Sequence, residues 1–295
     1  MEDGKFSAGD QEAEFAFTTF YCLQSTLGLY MIEARSISFR YHRDWILQDV
    51  SFHIEKGSFV GVIGPNGSGK TTLLKLLCRI LSPQRGEVLY DLVPLKKMNR
   101  TDMARKIAVV AQETHLLFPF TGLEIVLMGR SPHLHHRLFE GEKDLQIARK
   151  AMEWTETLSF ADRPIDELSG GERKRIFIAR ALAQEPDVIL LDEPTANLDI
   201  HHQLDFLDMI LTLHRDKGLT MVMASHDMNI AAEFCDRLIL LQNGKIFKSG
   251  APPEVITQEN IERVYGCDVW IDHHPVSGMP RISLTRKEGR GKELR

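Results

Sequence analysis

The stretch GVIGPNGSGKTTLL, residues 61 to 74, constrains what this chain can fold into more than any other part of it. A short apolar run meets a loop with three glycines, and a lysine and two threonines follow. The apolar run suits a buried strand, while Gly64, Gly67 and Gly69 let the chain turn at positive φ and bring bare backbone close to a ligand. Leu73, Leu74, Leu76, Leu77 and Ile80 then recur at helical spacing, so the order is strand, loop, helix. That order aims unpaired amides into the loop at the positive end of a helix dipole, where an anion can sit. Gly64, four residues, then Gly69, Lys70 and Thr71 is the spacing of a phosphate-binding loop. Gly64, Pro65, Asn66, Gly67, Ser68 and Gly69 form the cradle, Lys70 reaches the outer phosphates, and Thr71, followed by Thr72, holds Mg²⁺. An ordinary glycine-rich turn is the plain alternative, and the intact Gly-Lys-Thr between a strand and a helix argues against it.

Two further constellations carry chemistry. VILLDEP, residues 188 to 194, is a buried strand ending in two carboxylates, at the edge where open α/β sheets bind ligands. Asp192 is placed to hold the Mg²⁺ shell and Glu193 to take a proton from an attacking water. Taken alone, the two acids would serve equally well to cap the next helix. In LSGGERKRIFIARAL, residues 168 to 182, Ser169 reads as an N-cap, and Gly170 and Gly171 leave amides free, so this helix start is a second anion site. The run ERKRIFIAR within it reads as a solvated helix face.

Composition sets outer limits. The 295 residues, 43% hydrophobic and 26% charged, suffice for a large core and one or two domains. A net charge of -5 argues against nucleic acid as the main partner. Cys22, Cys78, Cys235 and Cys267 lie scattered without a CxxC pair, which speaks against a disulfide framework or a zinc site and fits a reducing, cytoplasmic compartment. Histidines in HLHH at 133 to 136, at 201 and 202, and at 273 and 274 find no Cys or paired acid to complete a ligand set, so no metal centre is expected of them. Residues 15 to 32 carry no charge, but polar interruptions and an acidic flank argue against a membrane span or signal peptide there.

Residues 1 to 30 carry five acids and one lysine, and residues 281 to 295 six basic and two acidic residues; both read as poorly ordered tails. MIEARSISFRY begins a clean strand pattern, which makes Met31 a candidate for the true start. From there SISFRY and DVSFHI alternate as half-exposed strands, whereas FVGVIG, KIAVVA, VILLD, TMVMAS and RLILL are continuous apolar runs of a central, mostly parallel sheet. Residues 113 to 167 show only helical periodicity and are expected to form a helical subdomain. The fold class is therefore α/β.

With these motifs in place, the chain resembles the ATP-binding cassette (ABC) ATPases from about Met31 to about Pro280, through GPNGSGKT, LSGGE, VILLDE, ANLD and the His226 of ASHD. The resemblance implies a P-loop core with an antiparallel β subdomain and an inserted helical subdomain. It also implies ATP and Mg²⁺ as cofactors, and a head-to-tail homodimer in which the loop of one subunit and Ser169, Gly170 and Gly171 of the other sandwich each ATP. Gln112 matches the family's Q-loop, which senses Mg²⁺ and the γ-phosphate, and His226 matches its switch. Tyr41 stands where the family stacks an aromatic on adenine, with Trp45 as the rival. FPFTGLEIVLMGRSPHL, DEPTANLDIHHQ and VYGCDVWIDHHPVSGMP are similar to the ATPase subunits of importers for iron-siderophores, haem and vitamin B12, although Gly122 stands where an apolar β-branched residue is expected. That likeness implies polytopic permease and substrate-binding partners and a peripheral place on the cytoplasmic face of the cell membrane. A soluble ABC ATPase of iron-sulfur cluster assembly is the alternative.

Overall fold

The computed structural model describes residues 30 to 112, 118 to 134 and 139 to 283. The expected acidic extension up to residue 29 and the basic tail from residue 284 lie outside these residues, as do His135 and His136. The strands are β1 (Tyr30–Arg40), β2 (Trp45–Glu55), β3 (Phe59–Ile63), β4 (Arg85–Tyr90), β5 (Val93–Pro94), β6 (Ile107–Val110), β7 (Val188–Asp192), β8 (Thr220–Ala224), β9 (Arg237–Gln242), β10 (Lys245–Gly250), β11 (Trp270–His273) and β12 (Pro280–Ser283). The α-helices are α1 (Lys70–Leu77), α2 (Arg100–Lys106), α3 (Gly122–Met128), α4 (Glu142–Trp154), α5 (Gly170–Ala183), α6 (Ile200–Lys217), α7 (Met228–Phe234), α8 (Pro252–Val255) and α9 (Gln258–Tyr265).

Six strands form the central sheet in the order β10-β9-β3-β8-β7-β6, parallel except for the antiparallel edge strand β10. The continuous apolar runs are explained by this position, because β3, β7 and β8 are buried on both faces. Their side chains alternate between two cores. Phe59, Ile63, Ile189, Leu191, Met221 and Met223 face the layer of helices α3 to α6, whereas Val60, Val62, Leu190, Val222 and Ala224 face α1 and the second sheet. That second sheet is antiparallel in its pairs, ordered β2-β1-β4-β5, and its inner residues Ile32, Ile37, Val50 and Ile54 close the core over α1.

Between Phe118 and Glu167 the regular elements among the described residues are helices, and one bridge joins Thr121 to Pro164. Thr121 caps α3 in a reciprocal box with Glu124. Gly122 has a positive reason to be there: a Cβ added to it would lie 2.5 Å from the Phe160 carbonyl oxygen and 3.1 Å from Ile176 Cδ1. The expected β-branched side chain has no room. Two boundaries also move. Strand β1 begins at Tyr30, paired with Glu55, and Arg281, Ile282 and Ser283 belong to the hairpin partner of β11, not to a tail. Asn229 holds that hairpin, its Oδ1 accepting the Ile282 amide at 2.8 Å.

Candidate functional site

Strand β3 and helix α1 meet at the phosphate-type loop. Gly64, Gly67 and Gly69 adopt φ of 148°, 79° and 105°. A Cβ on Gly64 would strike the Leu241 carbonyl oxygen at 2.3 Å, and one on Gly69 would strike Leu47 Cδ2 at 2.7 Å, so β9 and β2 press the loop into shape from two sides. Lys70 is buried, and its Nζ donates to the carbonyls of Gly64 at 2.8 Å and Pro65 at 3.2 Å. Burial pulls its pKa below the usual lysine range, against the opposing charges of Glu193 and Asp192. Ser68 Oγ is buried with no hydrogen-bond partner among the described residues, a donor left over for a ligand oxygen.

Strand β7 delivers the carboxylates. Thr71 Oγ1 donates to Asp192 Oδ1 at 3.0 Å, which joins the loop to the strand end. Burial pushes the Asp192 pKa up, the Thr71 bond pulls it down, and the Glu193 charge raises it further, with a net upward shift. Neither acid caps the next helix, because Asp199 does so, its side chain accepting the His202 amide at 2.9 Å. Glu193 sits at φ 50°, a left-handed conformation uncommon for a side-chain-bearing residue and characteristic of functional sites. Its amide donates to the Ala224 carbonyl at 3.0 Å. Its Oε2 accepts from the His226 amide at 3.2 Å and contacts His226 Nδ1. An ionised carboxylate only accepts, so Nδ1 bears the hydrogen and Nε2 is free of this contact.

These groups line one cleft of about 510 Å³, walled by Tyr41, Ile46, Asn66, Gly67, Gly69, Lys70, Thr71, Thr72, Gln112, Glu193 and His226. Oxygen donors from Thr71, Asp192 and the Gln112 amide are the ligand type that a hard divalent cation such as Mg²⁺ takes. With the glycine cradle and the orphan Ser68 hydroxyl, the residues present fit a magnesium-bound triphosphate. Tyr41, 51% exposed and edge-on to Phe39 at 4.9 Å, offers a ring at the cleft mouth. Trp45 does not line the cleft; its ring is contacted by the guanidinium groups of Arg40 at 4.9 Å and Arg85 at 5.1 Å.

Ser169, Gly170 and Gly171 are not among the residues lining this cleft. Ser169 does cap α5, with Oγ accepting the Glu172 amide at 3.3 Å and Glu172 Oε2 accepting the Ser169 amide at 2.7 Å. That backbone bond, aided by the Ser169 side chain, holds the Glu172 pKa below the usual carboxylate range. The expected solvated face of the run is only half exposed at ERKR. Arg173 donates to the Ile165 carbonyl at 3.2 Å, Lys174 to Pro194 at 2.7 Å, and Arg175 pairs with Glu156 at 2.7 Å. The run of one acid and three bases carried no sign that carbonyl-bearing loops would pack beside it. Ile46 is another lining residue that sequence reasoning passed over, and its place at the start of β2, two residues before Gln48, offered only a strand signal. Of the histidines, His133 Nε2 contacts the Gln184 carbonyl at 2.8 Å, His201 pairs with Asp205 at 3.5 Å, and His274 Nδ1 contacts the Ser277 amide at 3.3 Å.

The profile described as ABC transporter matches residues 47–196. The ferric enterobactin transport ATP-binding protein of Escherichia coli strain K12 is 38% identical over 251 residues, covering 85% of this chain and 93% of that protein. The hemin import ATP-binding protein of Hahella chejuensis is 37% identical over 261 residues, covering 86% of this chain and all of that protein, 100%. A dimeric structure of a post-hydrolysis state of the ATP-binding cassette MJ0796, bound to ADP and Pi, superposes with a TM-score of 0.65 at 29% identity, covering 75% of this chain and 98% of that one. Likeness of this extent, on a cleft already shaped for a magnesium-bound triphosphate, leads to one conclusion: the chain belongs to the family of ABC transporter ATP-binding proteins and is an ATPase.

Proposed function

We propose that this ATPase is the energising subunit of an ABC importer for an iron chelate (siderophore), haem or vitamin B12, working through a separate membrane permease. The observation that carries the hydrolytic part is the convergence of Lys70, the Thr71 and Asp192 pair, and the Glu193 and His226 pair on one cleft. The relatives named for ferric enterobactin and for hemin support the solute class. No helix among the described residues is long and apolar enough to cross a membrane, in keeping with a path supplied by the permease.

In this reading Tyr41 stacks on the adenine, and the amides from Gly64 to Thr72 hold the phosphates. Lys70 exchanges its bonds to the Gly64 and Pro65 carbonyls for oxygens of the β and γ phosphates. Thr71, Asp192 and Gln112 would hold the Mg²⁺, which would supply charge neutralisation to the phosphates. Glu193 takes the proton of the attacking water, and His226 orients Glu193 and contacts the γ-phosphate through Nε2. Ser169, Gly170 and Gly171 complete the site of a second copy in a head-to-tail dimer, which accounts for a second anion-binding helix start that the chain's own cleft does not use. A polytopic permease and a substrate-binding protein complete the assembly at the cytoplasmic face of the cell membrane.

Substituting Glu193→Gln is expected to lower steady-state phosphate release by about 100-fold or more while ATP-dependent dimers persist on a sizing column. Undiminished release would refute Glu193 as the base. For the importer, the tagged chain recovered from native membranes in mild detergent is expected to bring a stoichiometric polytopic membrane protein. Recovery with soluble partners alone would move the chain to the iron-sulfur cluster assembly class.

A further inference from the structure

We infer that Lys174 is a positioning residue for hydrolysis, its ammonium tying the start of helix α5 to the loop directly after Glu193 so that the signature segment and the catalytic carboxylate move as one. The inference rests on the ATPase reading above. Lys174 Nζ donates to the Pro194 carbonyl at 2.7 Å and also to the Ala196 carbonyl. These carbonyls flank Thr195, immediately beyond Glu193.

Besides Lys174, the loop is held by Gln203 of α6, whose Nε2 donates to the Thr195 carbonyl at 3.4 Å. Its own turns run from the Ala196 amide to the Glu193 carbonyl at 3.1 Å and from the Leu198 amide to the Thr195 carbonyl at 3.3 Å. Beneath it lies a cavity of about 300 Å³, walled by Phe177, Leu198, Phe206 and Gln112 among others. Packing is thin across that space, so the lysine acts as a strut, with its methylene stem beside the cavity wall and its charge on the loop. Gln112 lines both this cavity and the nucleotide cleft, so the strut stands one residue away from the metal side of the site.

Glu193 needs such support. A left-handed residue persists only where its surroundings over-determine it. On one side the Ala224 carbonyl holds its amide, and on the other the Lys174 ammonium holds the Pro194 and Ala196 carbonyls. Loss of the strut would let residue 193 relax and swing the carboxylate off the attacking water, and misplacement by about 1 Å costs as much as 100-fold in rate. The charged neighbours of Lys174 are Glu193 on the loop and Arg173 on its own helix, whose guanidinium is engaged by the Ile165 and Asp166 carbonyls. Val110 of strand β6, Gln112 just beyond it and Phe206 of helix α6, all uncharged, line the same cavity as Lys174. Burial, opposed by the Glu193 charge, pulls the Lys174 pKa down to about 8.

The test compares full-length wild type, K174R and K174M for kcat and KM with Mg-ATP from pH 6.5 to 9.5 (roughly the span that brackets a lysine pKa lowered this far), together with binding of a non-hydrolysable ATP analogue. K174M is expected to lower kcat by about tenfold or more with KM changed by less than about twofold, since it removes an interaction felt mainly in the transition state. K174R keeps two forked donors and a permanent charge, so it is expected to restore most of kcat and to abolish the fall in wild-type kcat as pH rises through about 8. A K174M enzyme with wild-type kcat, a K174R enzyme no better than K174M, or identical alkaline limbs in wild type and K174R would each overturn the inference. If K174M loses analogue binding, the K174R pH profile decides alone. Absence of hydrolysis in the wild type would instead overturn the ATPase reading together with the inference, so the two failures are distinct.

Discussion

Residue 122 shows how a local departure from expectation acquires a physical cause. The amide of Gly122 donates to the Arg163 carbonyl at 3.0 Å, which draws the start of α3 onto the segment around Phe160 until no side chain fits between them. Gly122→Val is expected to destabilise the chain by about 1–3 kcal/mol, because its new atoms meet a backbone carbonyl that cannot swing aside. Thermal melting checks this, and an unchanged midpoint would mean that the close approach is not a constraint. The choice between Tyr41 and Trp45 was likewise open in the sequence, where both are aromatics near the same turn. In the tertiary structure Arg40 and Arg85 contact the Trp45 ring while Tyr41 lines the cleft, which supports Tyr41 as the proposed stacking ring.

At the scale of elements, Asp187 just before β7 is a junction. Its Oδ2 accepts from Lys106 Nζ at the end of α2 at 2.9 Å and from the Tyr90 hydroxyl at the end of β4, so one carboxylate joins the antiparallel sheet to the central one. Burial raises the Asp187 pKa, but the Lys106 and Tyr90 bonds outweigh it and leave the pKa below the usual carboxylate range; burial and the same bond raise that of Tyr90. A depressed carboxylate pKa contributes stability that is complete above the ordinary value and lost as pH falls through the folded-state value. Asp187→Asn keeps an acceptor but removes the charge. It is expected to cost about 1 kcal/mol or less at pH 7, because the pair is partly exposed and screened, with a deficit that closes as the buffer falls below about pH 4. Denaturant midpoints across that range measure it, and a deficit independent of pH would refute the charge-based account. The LSGGERKR segment belongs to the same scale. Its cap at Ser169 was legible, because a Ser three residues before a Glu is a local signal. The half-burial of its basic residues was not, because the groups that bond them come from residues 156, 165, 166, 194 and 196.

Across the whole molecule, the site lies where three parts of the fold meet: the loop after β3, the ends of β7 and β8, and the mouth of the antiparallel sheet at Tyr41 and Ile46. A ligand that bridges all three should stabilise them together. In the Glu193→Gln variant, Mg-ATP at about 100 times its Kd is expected to add about 2.7 kcal/mol, or roughly 5–10 °C in Tm for a chain of this size. Chelation of Mg²⁺ is expected to remove much of that shift, because Thr71 and Asp192 would then face the phosphates without the cation. Equal shifts with and without chelator, in a fluorescence melting experiment, would take those two residues out of the metal site.

The sequence by itself determined the α/β class, the phosphate loop, the two acids at the end of β7, the capped start of α5 and His226, because each is written in contiguous residues whose spacing dictates local geometry. Tertiary structure alone decided which of these share a cleft: Lys70, Thr71, Gln112, Glu193 and His226 do, and Ser169, Gly170 and Gly171 do not. It also decided that Lys174 reaches the loop beyond Glu193 and that Gly122 must remain bare. The reason is that hydrogen bonds and excluded volume act between groups 20 to 120 residues apart, such as Lys174 with Pro194 and Thr71 with Asp192, and no local periodicity records which distant carbonyl or carboxylate will arrive.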